Sequence, residues 1–463
     1  MEFEGKGVHL IGIGGIGMSG IASVLIRRGA RVTGSDLRPG PRIDSLKAAG
    51  AKVEIGHGLE NISPDVALVV ASAAIEQDNT ELAEARRRGL KVAKYAQILG
   101  WLMDEKKGIA ISGTHGKSTT TALVAYILKR AGLSPTYVVG AEIDALGGSS
   151  AVGEGEYFVA EACEYDRSFL NLKPYMAIIN NIEADHLDYY RDLNEIVEAF
   201  GDFASRVKEE GLLLINADDP LVVKASRASR SRSETFAVDS QADWQARNLK
   251  SRQGRYEFEV SCKDEHFGRF SLSIPGAHNV ANALGAIGLT FNLNLPISVI
   301  KEAIEDFRGA RRRFEILGDS KGLVVVDDYG HHPTEVHFTL KAAKEFFPGR
   351  RLFCVFQPHQ HSRTLFLLED FAASFAEADF VLVPDIYFVR DSQTERLKVS
   401  SQDLVERLKA RGKEAVYLPS FEEISDCLLK ILKPGDVLLT MGAGNVDEVA
   451  REILQRFEGE GEV

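Results

Sequence analysis

Residues 108–132 read GIAISGTHGKSTTTALVAYILKRAG, and their pattern predicts a strand, a loop and a helix in succession. A short apolar run is followed by a glycine-containing loop and then by a long helical pattern that ends at Gly132. This order predicts a phosphate-binding loop: backbone N–H groups and Lys117 would hold the β- and γ-phosphates of a nucleotide, and the Ser118 hydroxyl would reach Mg²⁺. The general spacing GxxxxGK[ST] would require glycine at position 111, which is Ile111, so we interpret the loop as a shortened variant.

A second glycine loop lies upstream, where Gly12-Ile-Gly14-Gly-Ile-Gly17 follows a predicted strand and opens a helix. Asp36 closes the next strand, so the pattern matches the dinucleotide fingerprint, with a pyrophosphate on the helix N-terminus. Alone, this loop fits a NAD-type dehydrogenase, a UDP-linked substrate, or glycines that serve packing only. The presence of both loops disfavours two classes of protein. A dehydrogenase needs only one such loop for hydride transfer, and a P-loop regulator or transport ATPase has no use for the upstream loop.

Apolar runs such as GVHLIGIG, VALVVASAA, LVVVDDYG and DVLLTMGAG alternate with helical patterns along nearly the whole chain. This alternation favours α/β units built on parallel, doubly wound sheets. A chain of 463 residues corresponds to roughly three domains of about 150 residues each. We place their limits at residues 1–104, 105–310 and 311–463.

Charge and composition exclude several classes of protein. The formal net charge of −12 is spread along the chain and disfavours nucleic acid as the partner, because phosphate backbones require a basic face. We find neither a signal-peptide pattern nor an apolar run of about 18 residues that would cross a membrane. The four cysteines lack CxxC spacing, which is typical of a reducing compartment. We therefore expect a cytoplasmic protein with no nucleic-acid or membrane partner.

Acidic residues and histidines follow two predicted strands of the central unit. YFVAEAC ends in Glu161, and MAIINNIEADH is interpreted as a strand that ends in Asp185 and His186. Because parallel strands end on the ligand side of such a sheet, Glu161 and His186 should face the bound phosphates. Glu161 is a candidate Mg²⁺ ligand, whereas the chemistry of His186 leaves metal binding, capping and hydrogen bonding open.

Seven further segments share the order expected of one family. They are GTHGKSTTT (113–121), EACEYDRSFL (161–170), NNIEADHLDYY (180–190), PGAHNVANALGA (275–286), RRRFE (311–315), DDYGHHPTE (327–335) and QPHQHSRT (357–364). Together they resemble the Mur ligases of bacterial cell-wall synthesis, over nearly the whole chain. The resemblance implies a Rossmann-like N-terminal domain for a UDP-sugar, a central P-loop ATPase-type α/β domain, and a Rossmann-like C-terminal domain that brings in the amino acid.

The resemblance also implies the site residues. The UDP-sugar site would comprise Gly14, Gly15, Ile16, Gly17, Met18, Asp36, His57 and Ser72. ATP would be bound by Gly113, Thr114, His115, Gly116, Lys117, Ser118, Thr119, His278, Asn282, Arg313 and Asp328. Tyr329, His359 and Arg363 would bind the amino acid, with His331 beside them. Ser118 and Glu161 would hold one Mg²⁺ and His186 a second, and the catalytic groups would be Lys117, His186, Arg313 and His331.

The implied reaction activates the carboxylate of UDP-N-acetylmuramate as an acyl phosphate and joins it to L-alanine, with ATP and two Mg²⁺ ions. A neutral His331 would take the proton of the amine or only position a neighbouring group, and Arg363 offers a fork for the alanine carboxylate unless it forms a surface salt bridge. Binding sites in different domains predict hinge closure around the nucleotide.

Two departures from the family pattern bear on the branch. Residues 187–207 contain no lysine, so we expect no carbamylated lysine, which is consistent with the alanine-adding branch. Gln360 and His361 are assigned no role. A ligase that recycles whole peptides remains the main alternative, and a ligase for folate-like acceptors is disfavoured by the UDP-type loop domain. We expect a monomer or a weak homodimer.

Overall fold

The computed structural model describes residues 3–263, 265–389 and 391–459. Three sheets follow one another along the chain, and each is covered by helices on both faces. Burial on both faces explains why the central strands are continuous apolar runs. The prediction of a three-unit α/β protein is therefore confirmed.

The first sheet has five parallel strands in the order β3-β2-β1-β4-β5. Its strands are β1 (Gly7–Ile11), β2 (Arg31–Asp36), β3 (Lys52–Ile55), β4 (Val66–Ala71) and β5 (Lys91–Lys94). Its helices are α1 (Ile16–Arg27), α2 (Pro41–Ala48), α3 (Thr80–Arg87) and α4 (Tyr95–Met103). The strand order reverses at β1, so the upstream glycine loop lies at a topological switch point, where such sheets bind ligands.

The central sheet has ten strands in the order β15-β14-β13-β12-β11-β10-β6-β9-β7-β8. Its strands are β6 (Lys107–Ser112), β7 (Thr136–Val138), β8 (Ser150–Ala151), β9 (Tyr157–Glu161), β10 (Met176–Ile179), β11 (Leu212–Asn216), β12 (Arg232–Ala237), β13 (Trp244–Arg252), β14 (Arg255–Cys262) and β15 (Glu265–Ser271). Its helices are α5 (Lys117–Arg130), α6 (Leu193–Ala204), α7 (Pro220–Ser226), α8 (His278–Phe291) and α9 (Ile297–Asp306). The antiparallel strands β14 and β15 extend one edge, which the sequence did not predict.

The third sheet has six strands in the order β16-β17-β21-β18-β19-β20. Its strands are β16 (Glu315–Ser320), β17 (Leu323–Asp328), β18 (Leu352–Phe356), β19 (Phe380–Val383), β20 (Glu414–Tyr417) and β21 (Val437–Met441). Its helices are α10 (Pro333–Phe346), α11 (His361–Phe366), α12 (Leu368–Ser374), α13 (Gln393–Arg396), α14 (Ser401–Ala410), α15 (Phe421–Ile431) and α16 (Asp447–Gly459). Only the edge strand β16 pairs antiparallel with its neighbour.

One strand prediction is wrong. The segment MAIINNIEADH does not extend as a strand to Asp185 and His186, because β10 ends at Ile179. The side chain of Asn181 instead accepts the backbone N–H of His115 at 2.7 Å. The chain thus leaves the sheet to serve the phosphate loop, and Asp185 and His186 lie in the loop that follows. Among the described residues, no helix combines the length and apolar character needed to cross a bilayer.

Candidate active site

A cavity of about 390 Å³ lies between the phosphate loop, helix α8 and helix α10 of the third unit. Eight of the residues predicted to bind ATP line it: His115, Gly116, Ser118, Thr119, His278, Asn282, Arg313 and Asp328. The other predicted ATP residues, Gly113, Thr114 and Lys117, are not part of its lining. The lining also includes Asn180, Asn181, Glu183, Phe338 and Glu335, which had no predicted role.

Two features of this cavity suit a nucleotide: buried polar atoms without partners in its lining, and a phosphate loop that passes close to helix α8. Nδ1 of His278 and Oδ1 of Asn180 are buried without a hydrogen-bond partner. Burial lowers the pKa of His278 to about 4, so its ring is neutral at pH 7 and can contact the adenine base of a nucleotide. Gly116 has φ +77°, and a Cβ there would collide with Asn282, so only glycine allows the loop to pass under helix α8.

Lys117 is the first residue of α5. Its Nζ lies 2.5 Å from the carbonyl of Gly113, 3.0 Å from that of Thr114, and 2.9 and 3.0 Å from the two carboxylate oxygens of Glu164. Burial would lower the pKa of Lys117, but the charge of Glu164 outweighs it and raises the pKa. Glu164 therefore contacts the Lys117 ammonium where a phosphate was predicted to bind. A bound triphosphate must compete with Glu164 for this ammonium.

The three predicted Mg²⁺ ligands lie in two places. Ser118 is buried at the start of α5, and Glu161 ends β9, where its carboxylate accepts the backbone N–H of Gly140. Nδ1 of His186 is buried without a hydrogen-bond partner, while its Nε2 lies 3.8 Å from both Glu164 and Asp185. The Ser118 hydroxyl and the Glu161 carboxylate are oxygen donors of the kind that Mg²⁺ takes, whereas the unpartnered Nδ1 of His186 is a nitrogen donor in a second place.

A cluster of charged residues joins the phosphate loop to the third unit. The ring of His115 lies 3.5 Å from Glu183 and 3.2 Å from Glu335 of α10. Burial alone would lower the pKa of His115, but the carboxylates of Glu183 and Glu335 beside its ring outweigh it and raise the pKa to about 9. The hydroxyl of Thr334 donates to Glu183 at 2.6 Å. His115 is therefore a cation held between two carboxylates at neutral pH.

His332 belongs to the same cluster and could be mistaken for a metal ligand. His115, Glu183 and His332 each present one ligand atom within 4.8 Å of the others. However, Nδ1 of His332 accepts the N–H of Thr334 and so caps α10, and its Nε2 lies 3.3 Å from the carbonyl of Ala184. The hydrogen bonds of His332 thus have a structural purpose, and we interpret the cluster as ion pairs rather than as a metal centre.

The residues predicted for the amino acid come together beside this cluster. Arg363 donates to Asp185 at 3.0 and 2.9 Å, and its Nη1 lies 3.2 Å from Nδ1 of His359. The rings of His331 and His359 are 6.0 Å apart, and those of Tyr329 and His331 are 5.5 Å apart. Arg363 is 8% exposed, so it is a buried group and not a surface salt bridge.

Burial and the charge of Arg363 set the protonation of His331 and Asp185. Burial lowers the pKa of His331 to about 4, so the ring is neutral at pH 7. Burial would raise the pKa of Asp185, but the Arg363 guanidinium outweighs it and holds the pKa well below its usual range. A neutral imidazole therefore lies next to an ionised, fully paired carboxylate.

A second cavity, of about 730 Å³, opens at the upstream glycine loop. Among the residues predicted for the UDP-sugar, Gly14, Gly15, Asp36, His57 and Ser72 line it. Ile16, Gly17 and Met18 do not line it and form the first turn of α1. A Cβ on Gly17 would lie 2.9 Å from the Tyr95 ring, so packing explains that glycine.

Asp36 has a role that the fingerprint did not indicate. Its Oδ2 accepts the backbone N–H of Gly14 at 2.8 Å, which is one of the donors that a pyrophosphate would use. Asp328 behaves alike in the third unit, since its two oxygens accept the N–H groups of Phe314 and Gly330 at 2.7 Å each. Both carboxylates order a backbone turn at the edge of a cavity.

The linker between helix α9 of the central unit and strand β16 of the third unit, residues 307–314, touches both cavities. Arg311 lines the cavity at the upstream loop, and Arg313 lines the nucleotide cavity. The backbone N–H of Arg311 donates to the carbonyl of Glu142 at 2.9 Å, which fixes the linker to the central unit. The segment RRRFE was the available signal, and within it only Arg313 was predicted to bind a ligand.

Comparisons with known proteins agree with this geometry. The model of the Mur ligase family catalytic domain matches residues 7–107, that of the Mur ligase middle domain matches 111–290, and that of the Mur ligase glutamate ligase domain matches 312–444. A UDP-N-acetylmuramate–L-alanine ligase of Caldanaerobacter subterraneus subsp. tengcongensis is 43% identical over 97% of both chains. The crystal structure of a UDP-N-acetylmuramate–alanine ligase from Thermotoga maritima has a TM-score of 0.82 at 30% identity and covers 98% of this chain and 99% of that one. A murein peptide ligase from Psychrobacter arcticus has a TM-score of 0.75 at 26% identity, with coverage of 98% and 99%.

Proposed function

This chain belongs to the Mur ligase family, and from that premise we propose that it joins L-alanine to the carboxylate of UDP-N-acetylmuramate. The reaction converts ATP to ADP and phosphate through an acyl phosphate and provides a precursor of peptidoglycan. The UDP-sugar occupies the cavity at the upstream glycine loop, and ATP occupies the cavity at the phosphate loop.

The observation that carries this proposal is the shared linker between the two cavities. Arg311 and Arg313 are two residues apart, a span of at most about 7 Å, and each lines a different cavity. A dehydrogenase would need only the first cavity, and a simple ATPase only the second. Two adjoining cavities instead suit a reaction in which one substrate phosphorylates the other.

The first half of the reaction transfers the γ-phosphoryl group to the muramate carboxylate. Lys117 and Arg313 neutralise the charge that spreads over the phosphoryl oxygens, and the start of α5 fixes the in-line geometry. Lys117 exchanges Glu164 for phosphate oxygens as the nucleotide binds. Ser118, Glu161 and His186 would hold Mg²⁺, which supplies further positive charge at the phosphates when bound.

The second half requires the amine of alanine in its neutral form. His331, neutral because of its lowered pKa, accepts the amine proton. Arg363 orients the alanine carboxylate with its guanidinium fork, and its contact with Asp185 keeps that fork in place before the substrate arrives. His359, whose Nδ1 lies 3.2 Å from Nη1 of Arg363, is proposed to contact the same amino acid.

A phosphate-release assay tests the proposal. The assay offers L-alanine, other amino acids and a murein tripeptide in turn. We expect phosphate release only when ATP, UDP-N-acetylmuramate and L-alanine are all present. Phosphate release that does not depend on the UDP-sugar would refute the substrate assignment. Faster release with the tripeptide than with L-alanine would favour the peptide-recycling alternative.

We also propose that the enzyme works in the cytoplasm. All four of its cysteines are free thiols, which suits a reducing compartment.

A further inference from the structure

Glu335 connects three functional groups that come from different parts of the chain. It lies in the first turn of α10, and its side chain is 12% exposed. One side of it is 3.2 Å from the His115 ring of the phosphate loop, and Nη1 of Arg313 is 3.6 Å away. The backbone N–H of His331 donates to its Oε2 at 3.0 Å, and the His331 ring lies 3.5 Å away.

The contact with His115 crosses the boundary between two domains. His115 belongs to the central unit, whereas Glu335 and His331 belong to the third unit and Arg313 to the linker that leads into it. Only docking of the third unit onto the phosphate loop can bring these groups to one carboxylate. When the third unit docks, Glu335 therefore contacts His115 while it also holds Arg313 and His331 beside the nucleotide cavity.

Charge explains how one carboxylate holds three groups. Burial would raise the pKa of Glu335, but the cations His115 and Arg313 outweigh it and hold the pKa well below its usual range. The carboxylate faces two cations, His115 and Arg313, together with the neutral ring of His331. The carboxylate can thus hold the two cations close together while the ring of His331 stays neutral and able to accept a proton.

We propose that Glu335 is a positioning residue for the ligation reaction, which couples docking of the third unit to assembly of the phosphoryl-transfer site by holding His115, Arg313 and His331. This inference rests on the proposed function and assigns to it a residue that acts through His115, Arg313 and His331. Charged His115 is the partner across the domain boundary, so the coupling depends on the charge of Glu335 as well as on its shape.

Three variants test the proposal. Glu335→Gln keeps the shape and removes the charge, and Glu335→Asp keeps the charge on a shorter side chain. The matched control is Glu345→Gln on the same helix, where Glu345 accepts the hydroxyl of Tyr256 at 2.7 Å and so makes another contact between the two units. We expect Glu335→Gln to lower kcat about 10- to 100-fold with KM values for ATP and UDP-N-acetylmuramate changed less than about threefold. Glu335→Asp should recover part of that loss, and Glu345→Gln should match the wild type.

The pH profile separates positioning from a merely structural role. Loss of the Glu335 charge lowers the pKa of His115, so the activity of Glu335→Gln should fall with rising pH at a midpoint at least about one pH unit below that of the wild type. A loss of kcat with the wild-type profile would overturn the proposal, as would activity equal to that of Glu345→Gln. Glu335→Asp, with its charge intact, should keep the wild-type midpoint.

Small-angle scattering gives a readout that does not require activity. We expect the radius of gyration with ADP to be larger for Glu335→Gln than for the wild type and Glu345→Gln, because the third unit docks less completely. Equal radii for all three proteins would refute the coupling even if kcat falls. A wild type that releases no alanine-dependent phosphate would refute the proposed function, and the scattering would still decide whether Glu335 controls docking.

Discussion

The two glycine loops of this protein begin from similar sequence patterns but form different sites. At the upstream loop, the protein's own carboxylate, Asp36, occupies the backbone donor of Gly14, and most of the cavity comes from one domain. At the phosphate loop, an ammonium, Lys117, leads the helix, and residues of two domains enclose the cavity. A glycine loop therefore indicates that a ligand approaches the backbone, whereas the charge placed beside it decides whether the site only binds or also does chemistry.

The largest expected effect comes from removing the cation of the phosphate loop. Lys117→Ala should lower kcat about 1000-fold, because a charge-stabilising donor is lost at the transferring phosphoryl group. Binding of UDP-N-acetylmuramate, followed by calorimetry, should stay within about twofold of the wild type, because the upstream cavity is separate. A loss of UDP-N-acetylmuramate binding together with the loss of kcat would contradict the assignment of the two ligands to separate loops.

The amino-acid pocket should show the next largest effect. Arg363→Ala removes the guanidinium and leaves Asp185 buried without its cation, which costs about 2–5 kcal/mol in such pairs. We expect kcat/KM for L-alanine to fall about 100-fold. Arg407→Ala is the control, since Arg407 pairs with Glu369 at the surface of the same domain and should change nothing measurable. A KM for L-alanine that Arg363→Ala leaves unchanged would remove Arg363 from the pocket.

A smaller effect is expected at the upstream loop. Asp36→Asn keeps the shape of the side chain but removes the charge that holds Gly14. If Asp36 orders the loop and faces a hydroxyl of the ligand, the Kd for UDP-N-acetylmuramate should rise about tenfold, while the Kd for ATP stays constant. Tighter binding of the UDP-sugar would instead mean that the diphosphate lies against Asp36 and is repelled by it.

The smallest effect concerns stability and pH. Folding raises the pKa of His115 from its ordinary 6.5 to about 9, so its stabilising contribution is complete below about pH 6.5 and is lost as the pH rises through 9. His115→Gln should therefore lower Tm by about 3 °C at pH 6 and by a vanishing amount above pH 9.5. A difference in Tm that grows with pH would show that the ion pairs of His115 have been assigned the wrong sign.

The sequence predicted the elements of the fold better than the contacts of the site. Strand–loop–helix patterns are local, so the glycine loops and the start of α5 followed from spacing alone. Glu335 meets His115 only after two domains dock, and Glu183 meets it from a distant part of the central unit. No local pattern marks either contact. The same reason explains Glu164, which the sequence placed near Glu161 but could not place against Lys117.

The strand that was predicted to reach His186 shows a further limit of sequence patterns. Residues 176–186 are apolar enough at their start to read as one strand, but Asn180 and Asn181 turn their side chains to the phosphate loop. The need to satisfy backbone groups of another segment outweighed the local preference for extended structure.

The central claim is that ATP at one loop phosphorylates the acid bound at the other, and isotope transfer tests it most directly. UDP-N-acetylmuramate labelled with ¹⁸O in its carboxylate would be ligated to L-alanine, and the released phosphate analysed by mass spectrometry. The account predicts one ¹⁸O atom in each phosphate formed, since the acyl phosphate leaves with a carboxylate oxygen. Unlabelled phosphate accompanied by ligated product would contradict it.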